Sequence, residues 1–205
     1  MISLSARLIA ILAALTAVVF LSSCSSSETT SDAHSGHQSD EPVIGGEPAG
    51  FNADDVAFAT NMIPHHKQAV ELSAMVPDRS TDPQVRAMAE QISSAQEPEI
   101  RTMQAFLVQW NENPHDSSGH EGHGMTMQGM VDQATMTRLE SLKGEEFDRL
   151  WLESMISHHR GAVEMARAEL ANGDNVDAKR LAQSIIDTQE AEIAQMRQML
   201  EGGGA

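Results

Sequence analysis

Two short segments carry the side chains best suited to chemistry: Met62-Ile63-Pro64-His65-His66 and Met155-Ile156-Ser157-His158-His159. Each places a thioether three residues ahead of an imidazole pair. Imidazole suits Cu(II), Zn and Ni, whereas thioether sulfur selects Cu(I), so the combination points to copper before zinc. The chain has one cysteine, Cys24, which leaves no thiolate metal set and no cysteine chemistry. A donor set without thiolates also suits an oxidising compartment. More histidine and methionine lies in low-complexity sequence, at His34 and His37 and from His115 through His120, His123, Met125 and Met127 to Met130. Such stretches have no core to fill. They read either as compositional drift or as auxiliary capture groups (His120, His123, Met125, Met127 and Met130) that raise the local ion concentration.

The two segments belong to an internal repeat. Met62 matches Met155 at an offset of 93 residues, and the same offset pairs Ala69-Val70-Glu71 with Ala162-Val163-Glu164. It also pairs Gln96-Glu97 with Gln189-Glu190, Met103 with Met196 and Leu107 with Leu200. A constant, gap-free offset requires equal helix and turn lengths in both halves.

The elements that must position these groups are helices. Ala, Met, Leu, Glu and Gln are plentiful and tyrosine is absent, which favours helix over a β-sandwich. The first repeat, 51–110, predicts helices over about 52–76 and 83–110. Between them Pro77 to Pro83 forms a turn, with Asp82 as N-cap and Pro83 at the first helical position. The second repeat, 145–201, predicts helices over about 145–171 and from about 175 to Glu201. Asn172-Gly173 stops the first of these, and Asp174 or Asn175 caps the second. A short helix near 131–142 closes the linker, 111–144. Two short-looped hairpins predict an all-α, antiparallel four-helix bundle. Pro64 and Pro98 fall inside helices of the first repeat, where kinks are expected.

On a helical wheel Asp55, Phe58, Ala59, Met62, His66, Ala69 and Ser73 share one face, with His65 on its flank beside Phe58 and Leu72. The facing stripe, Val85, Ala89, Ile92, Gln96, Met103 and Leu107, is interrupted by Gln96, with Glu99 and Ile100 at its edges. Its counterpart is Ala178, Ala182, Ile185, Gln189, Met196 and Leu200. Polar groups on a core face need partners, since each one left unpaired costs about 1–3 kcal/mol. They form either a hydrogen-bond network that fixes helix register or a metal site lined by imidazole and thioether groups.

The remaining sequence bears on location. Arg7 precedes an apolar run, Leu8 to Leu21, that ends in Leu21-Ser22-Ser23-Cys24. The run is short for a membrane span and reads as the h-region of a signal peptide. It resembles a bacterial lipoprotein leader, 1–23, with lipid on Cys24 and a flexible tether over 24–50. The formal net charge of −17 argues against nucleic acid as a partner.

Phe58 to Val70 (FATNMIPHHKQAV), Phe147 to Ala166 (FDRLWLESMISHHRGAVEMA) and Gln189 to Met196 (QEAEIAQM) resemble the domain of unknown function 305 family. The resemblance covers about 51–110 and 145–201. It implies a ferritin-like bundle, an extracytoplasmic location, and copper binding with copper tolerance. Carried over, it implies ligands Met62, His65, His66, Glu99 and Met103 in one repeat and Met155, His158, His159, Glu192 and Met196 in the other. Pro98 and Ser157 depart from the family pattern.

The expected function is therefore an extracytoplasmic, lipid-anchored copper-binding protein that sequesters, buffers or hands over copper, with Cu(I) preferred and Cu(II) open. Its expected partners are copper ions and the membrane, with a delivery partner and a homo-oligomer left open. A structural bundle without metal is the alternative. A ferritin-like oxidase is less expected, because no helix carries the Glu-x-x-His pairs of di-iron bundles and no catalytic triad can be placed. Oxygen uptake on adding Cu(I) would reveal a weak cuprous oxidase.

Overall fold

A computed structural model describes residues 50–112 and 128–202. The expected leader, Cys24, His34, His37, the tether up to residue 49, and linker residues His115, His120, His123, Met125 and Met127 lie outside the described residues. Among those described there is no strand. The order is α1 (Ala53–Ala74), α2 (Val76–Arg79), α3 (Pro83–Gln109), α4 (Gln133–Ser141), α5 (Glu145–Asn172) and α6 (Val176–Gly202). None of these helices is long and apolar enough to cross a membrane.

The helix ends follow local chemistry. Asn52 caps α1 by accepting from the backbone N–H groups of Asp54 and Asp55, while Asp55 accepts from the N–H of Asn52. This reciprocal box satisfies donors that the first turn cannot pair internally. Asp82 caps α3 through the N–H groups of Gln84 and Val85, with Pro83 at the first position. Asn175, not Asp174, caps α6 through Asp177 and Ala178. The expected open turn after Pro77 instead holds one further helical turn, α2. Pro77 sits in its first turn, where a missing N–H costs nothing. Helices α1 and α3 continue through Pro64 and Pro98 without interruption.

Helix α1 pairs with α3, and α5 with α6; the two hairpins meet mainly through α1 against α5. Two apolar clusters fix this arrangement. One joins Ala69 and Leu72 of α1, Met88 and Ile92 of α3, Phe147, Trp151 and Met155 of α5, and Met196 of α6. The other joins Phe58 and Met62 of α1, Met103 and Leu107 of α3, Ala162 and Ala166 of α5, and Ala182 and Ile185 of α6. The early part of α1 therefore lies beside the late part of α5, so the two run antiparallel. Most core side chains are fully buried, which is the dominant stabilising contribution to such a bundle.

The α5–α6 turn encloses a carboxyl pair. Asp55 and Glu169 are both buried, and Asp55 accepts from the N–H groups of Asn52 (2.6 Å), Asn175 (2.9 Å) and Asp174 (3.1 Å). Burial raises the Asp55 carboxyl, but these N–H groups and Glu169 outweigh it and hold Asp55 below its ordinary range. Burial first, then the hydrogen bond to Asp55 and its charge, push Glu169 up to about 8; Lys179 opposes this and Asp54 adds to it. The protonated Glu169 carboxyl thus faces the Asp55 carboxylate at neutral pH, in a weak contact rather than a hydrogen bond of normal geometry. Gly173 adopts an ordinary φ of −66°. It is needed for space, because a Cβ there would collide with the Glu169 carboxyl and lie 2.8 Å from Asp55 Oδ1.

A pH dependence follows. Folded Glu169 keeps its proton up to about 8, against an ordinary value of 4.5 once unfolded. The stability it contributes is complete below 4.5 and is lost as pH rises through 8. Glu169→Gln keeps an N–H donor for Asp55 and cannot ionise. Across this window the melting temperature of the native chain should fall relative to that of the variant, by roughly 5 °C or more. Parallel melting curves would show that Glu169 does not hold the proton.

Candidate functional site

Between the two apolar clusters lies a polar layer to which all four long helices contribute. Helix α1 supplies His65 and His66, α3 supplies Gln96 and Glu99, α5 supplies His158 and His159, and α6 supplies Gln189 and Glu192. The four histidines are wholly buried and Gln96, Gln189 and Glu192 nearly so, whereas the Glu99 side chain is 15% exposed. Met62 and Met103 belong to the cluster on one side of the layer, Met155 and Met196 to the cluster on the other. All four methionines are fully buried.

This differs from one pocket per repeat. The His65 and His158 rings, from different repeats, lie 3.8 Å apart between centroids with planes inclined at 38°. His158 and His159 follow at 6.4 Å. The antiparallel crossing of α1 and α5 thus brings equivalent residues of the two halves into contact. Asp55 and Asp148, also equivalent, remain at opposite ends of the bundle.

Each repeat also ties one histidine to a carboxylate. His66 Nε2–H donates to Glu99 Oε2 at 2.9 Å, and His159 Nε2–H donates to Glu192 Oε2 at 2.8 Å. With a carboxylate oxygen as acceptor, the ring nitrogen that faces it, Nε2, is the donor. Gln91 holds the other Glu192 oxygen at 3.0 Å. The Nδ1 atoms of His66 and His159 are buried and have no partner among the described residues. His65 Nε2–H donates to the Gln128 carbonyl at 3.3 Å and leaves its own Nδ1 unpartnered. Neither ring nitrogen of His158 makes a hydrogen bond of normal geometry; the backbone of His65 is a weak partner. Both amide ends of Gln96 and of Gln189 are likewise unpartnered.

Burial pushes His65 down to about 4, with the nearby His66 and His159 adding to it and the Gln128 carbonyl opposing. Burial also holds His158 well below the ordinary imidazole range, reinforced by His65, His159 and His66. Both rings are therefore neutral at physiological pH, and each keeps a lone pair available. Buried groups without partners cost stability unless something else satisfies them. Among the described residues no three His, Asp or Glu side chains are grouped to hold a metal ion by themselves. A surface cleft bounded by Asp82, Asp148, Arg149 and Met199 contains none of the histidines.

All ten side chains expected as ligands lie in or beside this layer. Met130, expected as a capture group, is half-buried at the end of the linker. Sequence reasoning missed the backbone that covers the layer. Gln68 accepts from the Val131 N–H and donates to the Val131 carbonyl, both at 2.8 Å. Its signal was present in the repeat: Gln68 matches Gly161, an unequal pair inside an otherwise well-kept motif.

The sequence profile of the family Domain of unknown function (DUF305) matches residues 55–200. A crystal structure of a DUF305 candidate secreted protein from Streptomyces coelicolor is 36% identical, with a TM-score of 0.69 over 74% of this chain and 94% of that one. A DUF305 fragment from Deinococcus radiodurans is 33% identical, with a TM-score of 0.65 over 76% and 99%. CopM in its Cu(II)-bound form is 32% identical, with a TM-score of 0.62 over 72% and 96%; Cu(I)-bound and Ag-bound forms of CopM are also similar. The uncharacterised protein L153 of Acanthamoeba polyphaga mimivirus is 35% identical over 54 residues, or 26% of this chain, and the match spans 36% of that protein's length.

Proposed function

Since this chain belongs to the DUF305 family, we propose that it is a copper-binding protein acting outside the cytoplasm, sequestering, buffering or handing over the ion. The observation that carries this reading is the set of five buried imidazole nitrogens that make no hydrogen bond of normal geometry among the described residues, in a layer flanked by methionine pairs. The similarity to CopM, a protein described in copper- and silver-bound forms, supports it.

His65, His66, His158 and His159 are the nitrogen donors, and Met62, Met103, Met155 and Met196 the sulfur donors. Neutral imidazole and thioether favour Cu(I) and admit Cu(II). Glu99 and Glu192 act as orienting groups. Each holds a ring proton on Nε2 and leaves Nδ1 free, the arrangement in which a carboxylate fixes the tautomer of a ligating histidine. Lipid on Cys24 would hold the protein at the membrane, and His120, His123, Met125, Met127 and Met130 would capture ions near the bundle. The reading is of a carrier without catalysis, and sustained oxygen uptake on adding Cu(I) would count against it.

The test is a competition titration of the full chain with Cu(I), Cu(II) and Zn(II), repeated on a Met62→Leu, Met155→Leu variant. Leucine conserves volume, so each change should cost less than about 1.5 kcal/mol of stability. We expect weaker Cu(I) binding with unchanged helicity. Equal Cu(I) affinity in both proteins would remove these methionines from the ligand set.

A further inference from the structure

We propose that Gln128–Val131 is a strap over the His65–His158 pair, and that Gln68 and Gly161 hold it closed and so set the rate at which copper enters and leaves. The proposal rests on the copper reading above and adds control of access to it. His65 and His158 are wholly buried, whereas Gln128 is exposed and Gly129, Met130 and Val131 are half-buried. The strap therefore stands between solvent and the Nε2 edge of His65, which donates to the Gln128 carbonyl.

Three features pin the strap. Gln68, one helical turn beyond His65, clamps both backbone groups of Val131. Gly129 takes a positive φ of 89°, a conformation open to glycine without strain. A Cβ there would lie 2.6 Å from the Ser157 carbonyl oxygen and 3.1 Å from that of His158. Gly161 provides the space on α5, since a Cβ on it would fall on the Gln128 carbonyl. Gln68 and Gly161 occupy equivalent positions of the repeat. At this position the two halves diverge, one side chain gripping the strap and the other withdrawn to admit it. The His65 ring nitrogen facing the strap is occupied by the Gln128 carbonyl while the strap is closed, and opening would free it together with a path to the pair.

The test compares the native full chain with Gln68→Ala and Gly161→Ala. In the first assay each protein is loaded with Cu(I) and mixed rapidly with excess of a strong Cu(I) chelator. Release should quicken roughly tenfold in Gln68→Ala, as expected when two hydrogen bonds that hold a local closed state are lost, and similarly in Gly161→Ala, whose added Cβ displaces the Gln128 carbonyl. Equilibrium affinity should change much less than the rate. In the second assay the metal-free proteins are treated with diethyl pyrocarbonate, and modification of His65 should quicken similarly. Gln68 is half-buried and its truncation leaves the core intact, so it serves if Gly161→Ala does not fold. Unchanged release, or unchanged modification of His65, overturns the strap. Failure of the native chain to retain Cu(I) overturns the copper reading instead, and the modification rates then decide on their own whether the strap covers His65.

Discussion

Replacing His66 and His159 together by alanine is expected to lower copper affinity by a hundredfold or more, on the order of the loss of two nitrogen donors from one soft-metal layer. These two imidazoles are the best prepared of the four. Each is wholly buried, each has its Nε2 proton held by a carboxylate below 3 Å, and each leaves an Nδ1 lone pair without a partner. The alanine at 66 leaves Glu99 partly exposed and able to recover water. The alanine at 159 is harsher, because Glu192 is 2% exposed and would keep only the amide of Gln91. A buried carboxylate stripped of its partner can cost about 3–5 kcal/mol, so the variant should also carry Glu192→Gln. Glu192→Gln alone isolates the orienting role and should weaken copper binding about 10–100-fold with both imidazoles present. Isothermal or chelator-competition titrations, with circular dichroism to confirm helicity, decide the matter. Native affinity in the histidine variant would exclude these rings as donors.

Trp151→Ala should produce the largest loss of stability from a single change. The side chain is fully buried in the apolar cluster that joins the two hairpins, and its Nε1–H donates to the Leu72 carbonyl at 2.9 Å. Truncating a buried tryptophan costs about 3–5 kcal/mol, which lowers the melting temperature by roughly 10 °C in a domain of this size. Trp151→Phe keeps a ring and gives up the donor, so its cost should be nearer to about 1 kcal/mol. The pair of variants separates packing from hydrogen bonding. The site should respond too, because Trp151 ties α5 to α1, and the register between these helices places His158 against His65. A Trp151→Ala protein that melts with the native one would refute this view of the interface.

Much of this was legible in the residues themselves. The constant offset gave the span of two hairpins but not equal helices, since α5 runs unbroken where the first repeat divides into α1 and α2, and the caps at Asp82 and Asn175 follow from side-chain oxygens that serve the first helical turn locally. The wheel identified the buried faces, down to Gln96 and Gln189 as polar intrusions, because helical periodicity is a local property; Leu200, at the end of the second stripe, is only partly buried. The exception near the first turn, α2, arose where Pro77 extends helix that composition alone read as loop.

Tertiary structure alone decided how the two copies meet. A repeat states which residues are equivalent and is silent on which of them touch. The antiparallel crossing of α1 and α5, set by apolar contacts far apart in sequence, merges the two motifs into one layer and puts His65 on His158. It also sets Glu99 and Glu192 against the Nε2 atoms of His66 and His159, a pairing across helices that the repeat alone does not state. The strap at Gln128–Val131 had no local signature beyond Gly129 and the unequal Gln68 and Gly161, because close approach of two backbones is a property of the assembled bundle.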